Sequence, residues 1–369
     1  MNSCPLHLRW CLLLCVLVTK AITAAGQDWE AWQIRQPAAA TTWLSGVCHG
    51  NGLFVAVGWE GLIDTSVTGE NWHPQVSGTS ADLFNVGFGH GLFVAVGAGG
   101  AILTSPDGTN WTVRSSGVGS YLRELSFGAG WFVAGGFSPN AILVSSNGVD
   151  WDPIPEGVAA YPDFIAFGRG RHVLESGRTN LVLFDGTHWT TRASGLPENL
   201  YTMGYGNGFF LAIDIRNRVF TSPDAAHWRH RATLDVVRPE HVVFGHGTFV
   251  VDGGSHVVAS QDAEAWTRVT PDFVRNVGFG DGTFIGVGMG AGIAQSDPIT
   301  WLRSEGAGRI ELHGPTDHVY EIQQRAGWHE EQAWTLAGRV SVTNSPAIWI
   351  DPEPDLVGQR YYRVLMDPP

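Results

Sequence analysis

Apolar and polar residues alternate with a period of two through short runs separated by glycine-rich turns. Leu83 to Phe88 forms one such run, Leu92 to Val96 a second, Ala101 to Thr104 a third and Trp111 to Arg114 a fourth. This alternation predicts strands with one face buried, and the Gly and Asp-Gly turns between them predict antiparallel hairpins.

The same unit recurs. Gly50-Asn-Gly52, Gly89-His-Gly91, Gly128-Ala-Gly130, Gly168-Arg-Gly170, Gly206-Asn-Gly208, Gly245-His-Gly247 and Gly280-Asp-Gly282 each precede an apolar run such as "LFVAVG". The intervals between first glycines are 39, 39, 40, 38, 39 and 35. Each unit ends at a tryptophan: Trp72, Trp111, Trp151, Trp189, Trp228, Trp266 and Trp301. Four short antiparallel strands in about 39 residues make one propeller blade. The sequence therefore predicts an all-β fold, a seven-bladed β-propeller over residues 26–305, followed by a small β-sandwich-like domain over 306–369.

A lone blade cannot bury both faces, so neighbouring blades must pack on each other and the ring must close. One extra strand is available for closure. "DWEAWQIRQP" resembles the Trp-containing fourth strand, and Trp32 lies 40 residues before Trp72, in register with the repeat. Either Trp32 or Trp301 takes the outer place in the last blade, and both join the other tryptophans as expected blade anchors.

The remaining composition narrows the setting. Arg9, an apolar stretch from Trp10 to Thr19 and small residues through Gly26 read as a secretory signal over residues 1–25. The apolar stretch is too short for a good membrane anchor, and no later stretch could span a bilayer. A secreted, periplasmic or cell-surface protein is expected, built as a monomer. Cys48 is then the only cysteine of the mature part, so packing alone must hold the fold. The formal net charge of -13 argues against nucleic acid or an anionic membrane as the main partner.

The unit resembles the Asp-box, or BNR-like, repeat of sialidases, glycoside-binding propellers and photosystem II stability and assembly factor propellers, over roughly Asp28 to Ser304. "TSPDGTNW" (Thr104 to Trp111) carries Gly108 and Trp111 as that box does, but Pro106 stands at the usual Asp position and Asp107 one place later. "TSVTGENW" has no Asp, "VSSNGVDW" has Asn147, and "TSPDAAHW" and "ASQDAEAW" lack the glycine. The C-terminal part resembles a module that ends secreted or surface proteins of verrucomicrobial and planctomycete type, through Tyr320, Ile322, Trp334, Asp351 and Arg360 to Arg363.

Candidate chemistry is sparse. The Gly97-Ala-Gly-Gly100 run is followed by a strand rather than a helix, and no P-loop lysine exists after Lys20, so a phosphate cradle is not expected. The three converging arginines that the sialidase resemblance implies are missing: Arg35, Arg114, Arg192 and Arg231 follow the blade tryptophans around the rim. Glu60, Asp107, Glu156, Asp163, Glu175 and Asp214 are turn carboxylates from which a hydrolase could draw a pair. His49, His90, His246, His227 and His230 show no metal-ligand spacing, and neither metal nor cofactor is expected.

The turns between second and third strands differ most between units: Trp59-Glu60, Phe137 to Asn140, Arg178 to Asn180, Arg216-Asn217 and Met289. A rigid repeat with one variable face suits a recognition platform. The expected function is non-enzymatic binding of a protein or glycan, with Trp59, Glu60, Phe137, Asn140, Arg178, Arg216 and Met289 as binding residues. A carbohydrate-active hydrolase and an assembly or scaffold factor are the alternatives.

Overall fold

The computed structural model describes residues 32–36, 42–136, 142–156, 158, 162, 164–176, 180–245, 247–254, 256–269, 273–296, 301–306, 309–313, 318–325, 335–343, 347–350 and 361–366. It is all-β, with seven four-stranded antiparallel sheets arranged as propeller blades. After β1 (Trp32–Gln36), the first blade contains β2 (Leu44–Gly50), β3 (Leu53–Gly58), β4 (Ile63–Ser66) and β5 (His73–Gln75) in that order. Blades 2 to 6 repeat this order over residues 83–114, 124–153, 165–193, 200–233 and 239–269.

The seventh blade takes three strands from residues 274–296, and β1 completes it by pairing antiparallel with Ile293–Ser296, Trp32 opposite Ser296. The ring is thus closed by its N-terminal strand. Trp301, placed among the blade anchors by its spacing, instead heads strand Trp301–Gly306, which pairs with Arg309–His313. The blade strands therefore end at Ser296 rather than near residue 305. Beyond Trp301, two three-stranded sheets are formed, and Leu312, Tyr320, Ile322 and Trp349 are buried there. Residues 1–25 of the expected leader lie outside the described residues.

First strands of neighbouring blades touch one another and so line the axis of the ring. Each strand-1 aromatic lies on the last strand-1 glycine of the blade before it. A Cβ on Gly50 would fall 2.1 Å from the Phe88 ring, and one on Gly89 2.3 Å from the Phe127 ring. The same contact joins Gly128 to Phe167, Gly168 to Tyr205, Gly206 to Phe244 and Gly245 to Phe279, and Gly280 to His49 closes the cycle. The first glycine of each Gly-x-Gly therefore exists for close approach. The next two residues, such as Asn51 (φ 51) and Gly52 (φ 72), both have positive φ, as a two-residue hairpin turn requires.

Between blades, the second-strand phenylalanines Phe54, Phe93, Phe132, Phe210, Phe249 and Phe284 are fully buried. Each such ring contributes on the order of 1.5–3 kcal/mol by leaving water. His172 takes the equivalent place in blade 4 and is equally buried.

The third-to-fourth hairpins of several blades share one hydrogen-bond pattern. Asp107 Oδ1 accepts the Thr109 and Asn110 backbone N–H groups at 2.9 and 2.8 Å, while Trp111 Nε1 donates to the Gly108 carbonyl at 2.8 Å. Asn147, Asp185, Asp224 and Asp262 accept the corresponding pairs of N–H groups in their blades. Where blades 2 and 3 have Gly108 and Gly148 at φ 74, Ala225 and Ala263 hold the same left-handed backbone, at φ 57 and 63.

Candidate functional site: the connection face

Alternate turns of an antiparallel blade emerge at opposite ends. First-to-second and third-to-fourth hairpins form one face of the ring, the hairpin face. Second-to-third turns and the blade-to-blade links form the other, the connection face.

A repeated main-chain hydrogen bond fixes the connection face. In blades 1, 2, 5, 6 and 7 the N–H opening the second-to-third turn donates to a carbonyl just before the first strand: Trp59 to Trp43 (2.9 Å), Ala98 to Asp82 (2.8 Å), Ile215 to Asn199 (3.0 Å), Gly254 to Val237 (2.5 Å) and Met289 to Phe273 (3.1 Å). Just beyond it, the first strand slips register by one residue in blades 1, 2, 5, 6 and 7, leaving Ser45, Phe84, Tyr201, Glu240 and Arg275 as bulge residues. Bulges re-aim side chains, here at the connection-face mouth of the axis.

Two aromatic pairs result. Trp59 stacks on Trp43, ring centroids 5.3 Å apart and planes 13° apart, and Trp43 bridges to Met289 of blade 7. Tyr121 meets Phe84 edge-on at 5.8 Å, with the Arg123 guanidinium over the Phe84 ring at 5.4 Å. Trp59 keeps 41% and Tyr121 59% of its surface in solvent. Glu60 sits beside Trp59 with φ 57, its N–H held by Asp82 Oδ1 at 2.9 Å. Arg275 donates to the Val274 carbonyl at 2.8 Å and reaches Met289 Sδ at 3.8 Å.

On the opposite side of the mouth, His241 Nδ1 lies 3.1 and 3.2 Å from the Asp252 carboxylate oxygens. Burial disfavours its charge, but Asp252 outweighs that, helped by Glu124 and Glu240, and the imidazole is pushed up to about 9. Glu124 belongs to blade 3 and His241 to blade 6, so this charge interaction spans the axis.

Of the residues expected from sequence, Trp59 and Met289 are brought together through Trp43. Arg216 lies on the blade 5 side, 2.7 Å from Glu198. Phe137, Asn140 and Arg178 lie outside the described residues. Trp43, Phe84, Tyr121, Arg123, His241 and Arg275 escaped sequence reasoning. A signal existed: the bulge residues of blades 1, 2, 5, 6 and 7 stand five places before the first glycine, and at that sequence position the seven units differ, reading Ser45, Phe84, Arg123, Asp163, Tyr201, Glu240 and Arg275.

Of the candidate hydrolase carboxylates, Asp107, Glu60 and Asp214 take different settings. Asp107 is on the hairpin face and Glu60 on the connection face. Asp214 is fully buried, accepting the Arg216 and Arg218 N–H groups and pairing with the Arg218 guanidinium at 2.7 Å. Asp163 is outside the described residues. Burial raises the Cys48 thiol, which opposes a nucleophilic role. Among the described residues no group of three or more His, Cys, Asp or Glu is placed to hold a metal, and no helix is long and apolar enough to cross a membrane.

No family model matches the chain, and no curated protein matches it. Solved structures do. YCF48 bound to D1 peptide aligns with a TM-score of 0.59 and 16% identity, over 72% of this chain and 96% of that one. YCF48 from Cyanidioschyzon merolae aligns with a TM-score of 0.55 and 16% identity, over 72% and 98%. PorZ, an essential surface component of the type-IX secretion system of Porphyromonas gingivalis, aligns with a TM-score of 0.54 and 13% identity, over 76% of this chain and 42% of that one. At such identities the likeness is one of fold, and it agrees with the strand pairing: the chain is a seven-bladed β-propeller.

Proposed function

We propose that this protein is a non-enzymatic recognition module that holds a protein partner on its connection face. One asymmetry carries the reading. Among the described residues of the ring, five exposed large apolar side chains, Trp59, Val76, Tyr121, Ile215 and Val237, belong to the connection face, against Val67 on the hairpin face and Ile34 and Val113 on outer strands at the rim. Exposed apolar groups gathered on one face mark interaction surfaces, and aromatic anchors on a rigid backbone bind at low entropic cost. That a propeller of this fold has been seen with a peptide bound, in YCF48, supports the reading. A leader-like residue 1–25 segment supports export, to the periplasm or cell surface. The hydrolase alternative loses support from the separation of Glu60, Asp107 and Asp214.

The test is selection of a phage-displayed 12-residue peptide library on the purified protein, beside a glycan array. Selected peptides should weaken at least about tenfold against a Trp59→Ala/Tyr121→Ala variant that keeps its melting temperature, and hold against Val67→Ser. Glycan binding without peptide binding, or peptides sensitive only to Val67→Ser, would overturn the proposal.

A further inference from the structure

We infer that Asn51 and Asn207, at the tips of the first-to-second hairpins of blades 1 and 5, are sites of spontaneous deamidation, whereas Asn147 in blade 3 is protected from it. The inference concerns the hairpin face and stands apart from the binding reading above.

The chain contains three Asn-Gly pairs, Asn51-Gly52, Asn147-Gly148 and Asn207-Gly208. A glycine after asparagine leaves its own main-chain nitrogen unscreened by a Cβ and therefore open to the neighbouring side chain. That nitrogen attacks the asparagine Cγ, and the side-chain nitrogen leaves as ammonia, carrying off the proton of the attacking N–H. Water then opens the cyclic imide at either carbonyl, giving aspartate or, with the main chain rerouted through the side chain, isoaspartate.

In blades 1 and 5 nothing holds this step back. Asn51 and Gly52 lie at φ 51 and 72, Asn207 and Gly208 at φ 49 and 83, and all four residues are exposed. Among the described residues none bonds to either asparagine side chain or to the Gly52 and Gly208 N–H groups. Attack needs the central peptide of the turn to swing its nitrogen beside the side chain, as when a type I′ turn becomes type II′ and its second residue passes to negative φ. Glycine accepts either sign of φ, and a free N–H gives up no hydrogen bond in the swing. A Cβ on Gly52 or Gly208 would meet nothing within 4 Å, so the peptide moves in open space.

Asn147 carries the same dipeptide under opposite restraint. Its Oδ1 accepts the Val149 and Asp150 N–H groups at 2.8 and 2.9 Å, and its Nδ2 donates to Asp150 Oδ2 at 2.9 Å. The attacking group, Gly148 N–H, is tied to Ser145 Oγ at 2.8 Å. Gly148 is also buried, and a Cβ there would fall 2.9 Å from Leu92 and 3.2 Å from Val94, both of the preceding blade. Swinging this peptide breaks the hydrogen bonds and presses on the seam between blades.

The ring already shows how it takes the aspartate product: blade 7 has Asp281-Gly282 at the same place, at φ 42 and 75. Isoaspartate instead lengthens the main chain of a two-residue turn. Either product adds one negative charge to the hairpin face of a protein whose formal net charge is -13, and leaves the connection face as it was.

The experiment is incubation of the purified protein in mildly alkaline buffer, folded in one arm and unfolded in urea in the other, followed over time by mass spectrometry of tryptic peptides. Cuts at Arg35 and Arg114, Arg123 and Arg169, and Arg192 and Arg216 put the three asparagines on separate peptides. In the folded arm Asn51 and Asn207 should each convert at least about tenfold faster than Asn147, the rate factor that about one net hydrogen bond is worth. In urea the three rates should converge, which shows that the fold and not the local sequence protects Asn147. Equal rates at the three sites in the folded arm would overturn the inference, as would a spread in urea as wide as in the folded arm. A folded rate at Asn51 or Asn207 as slow as that of Asn147 would remove that site.

Discussion

His172 donates its Nε2 proton to the carbonyl of Gly128, 3.1 Å away across the seam between blades 4 and 3, while its Nδ1 is buried without a hydrogen-bond partner. Burial holds this imidazole down to about 4, with main-chain hydrogen bonding at Gly128 and Trp131 partly opposing. Between pH 6.5 and 4 the unfolded chain therefore takes up a proton that the folded chain refuses. Stability should fall by up to about 3 kcal/mol as pH drops through that window, and level off below it. His49, at the blade 7 to blade 1 seam, is also depressed by burial, with Asp281 opposing, and adds to the slope. Urea titrations across this range should show His172→Phe removing the larger share of the slope, even if the freed Gly128 carbonyl costs stability at pH 7. An unchanged slope would place the acid sensitivity elsewhere.

His241 has the opposite sign. Its folded value of about 9 lies above the unfolded one, so its contribution is complete below pH 6.5 and is lost as pH rises through 9. Asp252→Asn should bring the imidazole midpoint down by more than one unit, read from its ring proton shifts in NMR, and flatten the alkaline loss of stability. A midpoint near 6.5 in the wild-type protein would refute the charged pair at the mouth of the axis.

Two glycines of the second blade separate packing from backbone strain. A Cβ on Gly89 would sit 2.3 to 2.6 Å from Phe127 ring atoms, whereas one on Gly99, at φ 64, meets nothing within 4 Å. Gly99→Ala should cost about 1 kcal/mol, the penalty of left-handed backbone alone. Gly89→Ala should cost about 2–3 kcal/mol by forcing the inter-blade contact apart. Chemical denaturation compares them directly, and a costlier Gly99→Ala would contradict the close-packed cycle around the axis.

Ring closure predicts an unequal pair of tryptophans. Trp32 packs with Val274 and Phe284 in the core of blade 7, and a Cβ on Gly286 would lie 2.8 Å from its ring. Arg35 ties the same strand to Gln295 at 2.8 Å and to Glu70 of blade 1 at 3.1 Å. Trp32→Ala should destabilise the ring by about 2–4 kcal/mol. Trp301→Ala should leave its main unfolding transition in place, as monitored by calorimetry.

The ring was legible because its markers answer to steric necessity. A glycine under a neighbour's aromatic ring and a two-residue turn with positive φ tolerate few substitutes, so both recur visibly. Trp301 misled because a tryptophan at blade-like spacing need not pair as a blade strand, although its interval of 35 from Trp266 was already short of the 38 to 40 elsewhere. Phe84, Tyr201 and Arg275 were overlooked because a bulge residue breaks the alternation that identifies a strand. Trp59 and Met289 were visible as mismatches between copies, but their neighbour Trp43 precedes the first full unit's strand and matched nothing.

The hydrogen bond that joins the turn N–H to the carbonyl before the first strand in blades 1, 2, 5, 6 and 7 uses main-chain atoms only. It asks nothing of the side chain at either end, which is how tryptophan, alanine, isoleucine, glycine and methionine all open the same turn in different blades. Substitutions at these places change what the ring touches while the ring itself stays folded. The chemistry of this face can thus drift, or be rewritten by grafting one blade's turn onto another, without any compensating change in the core.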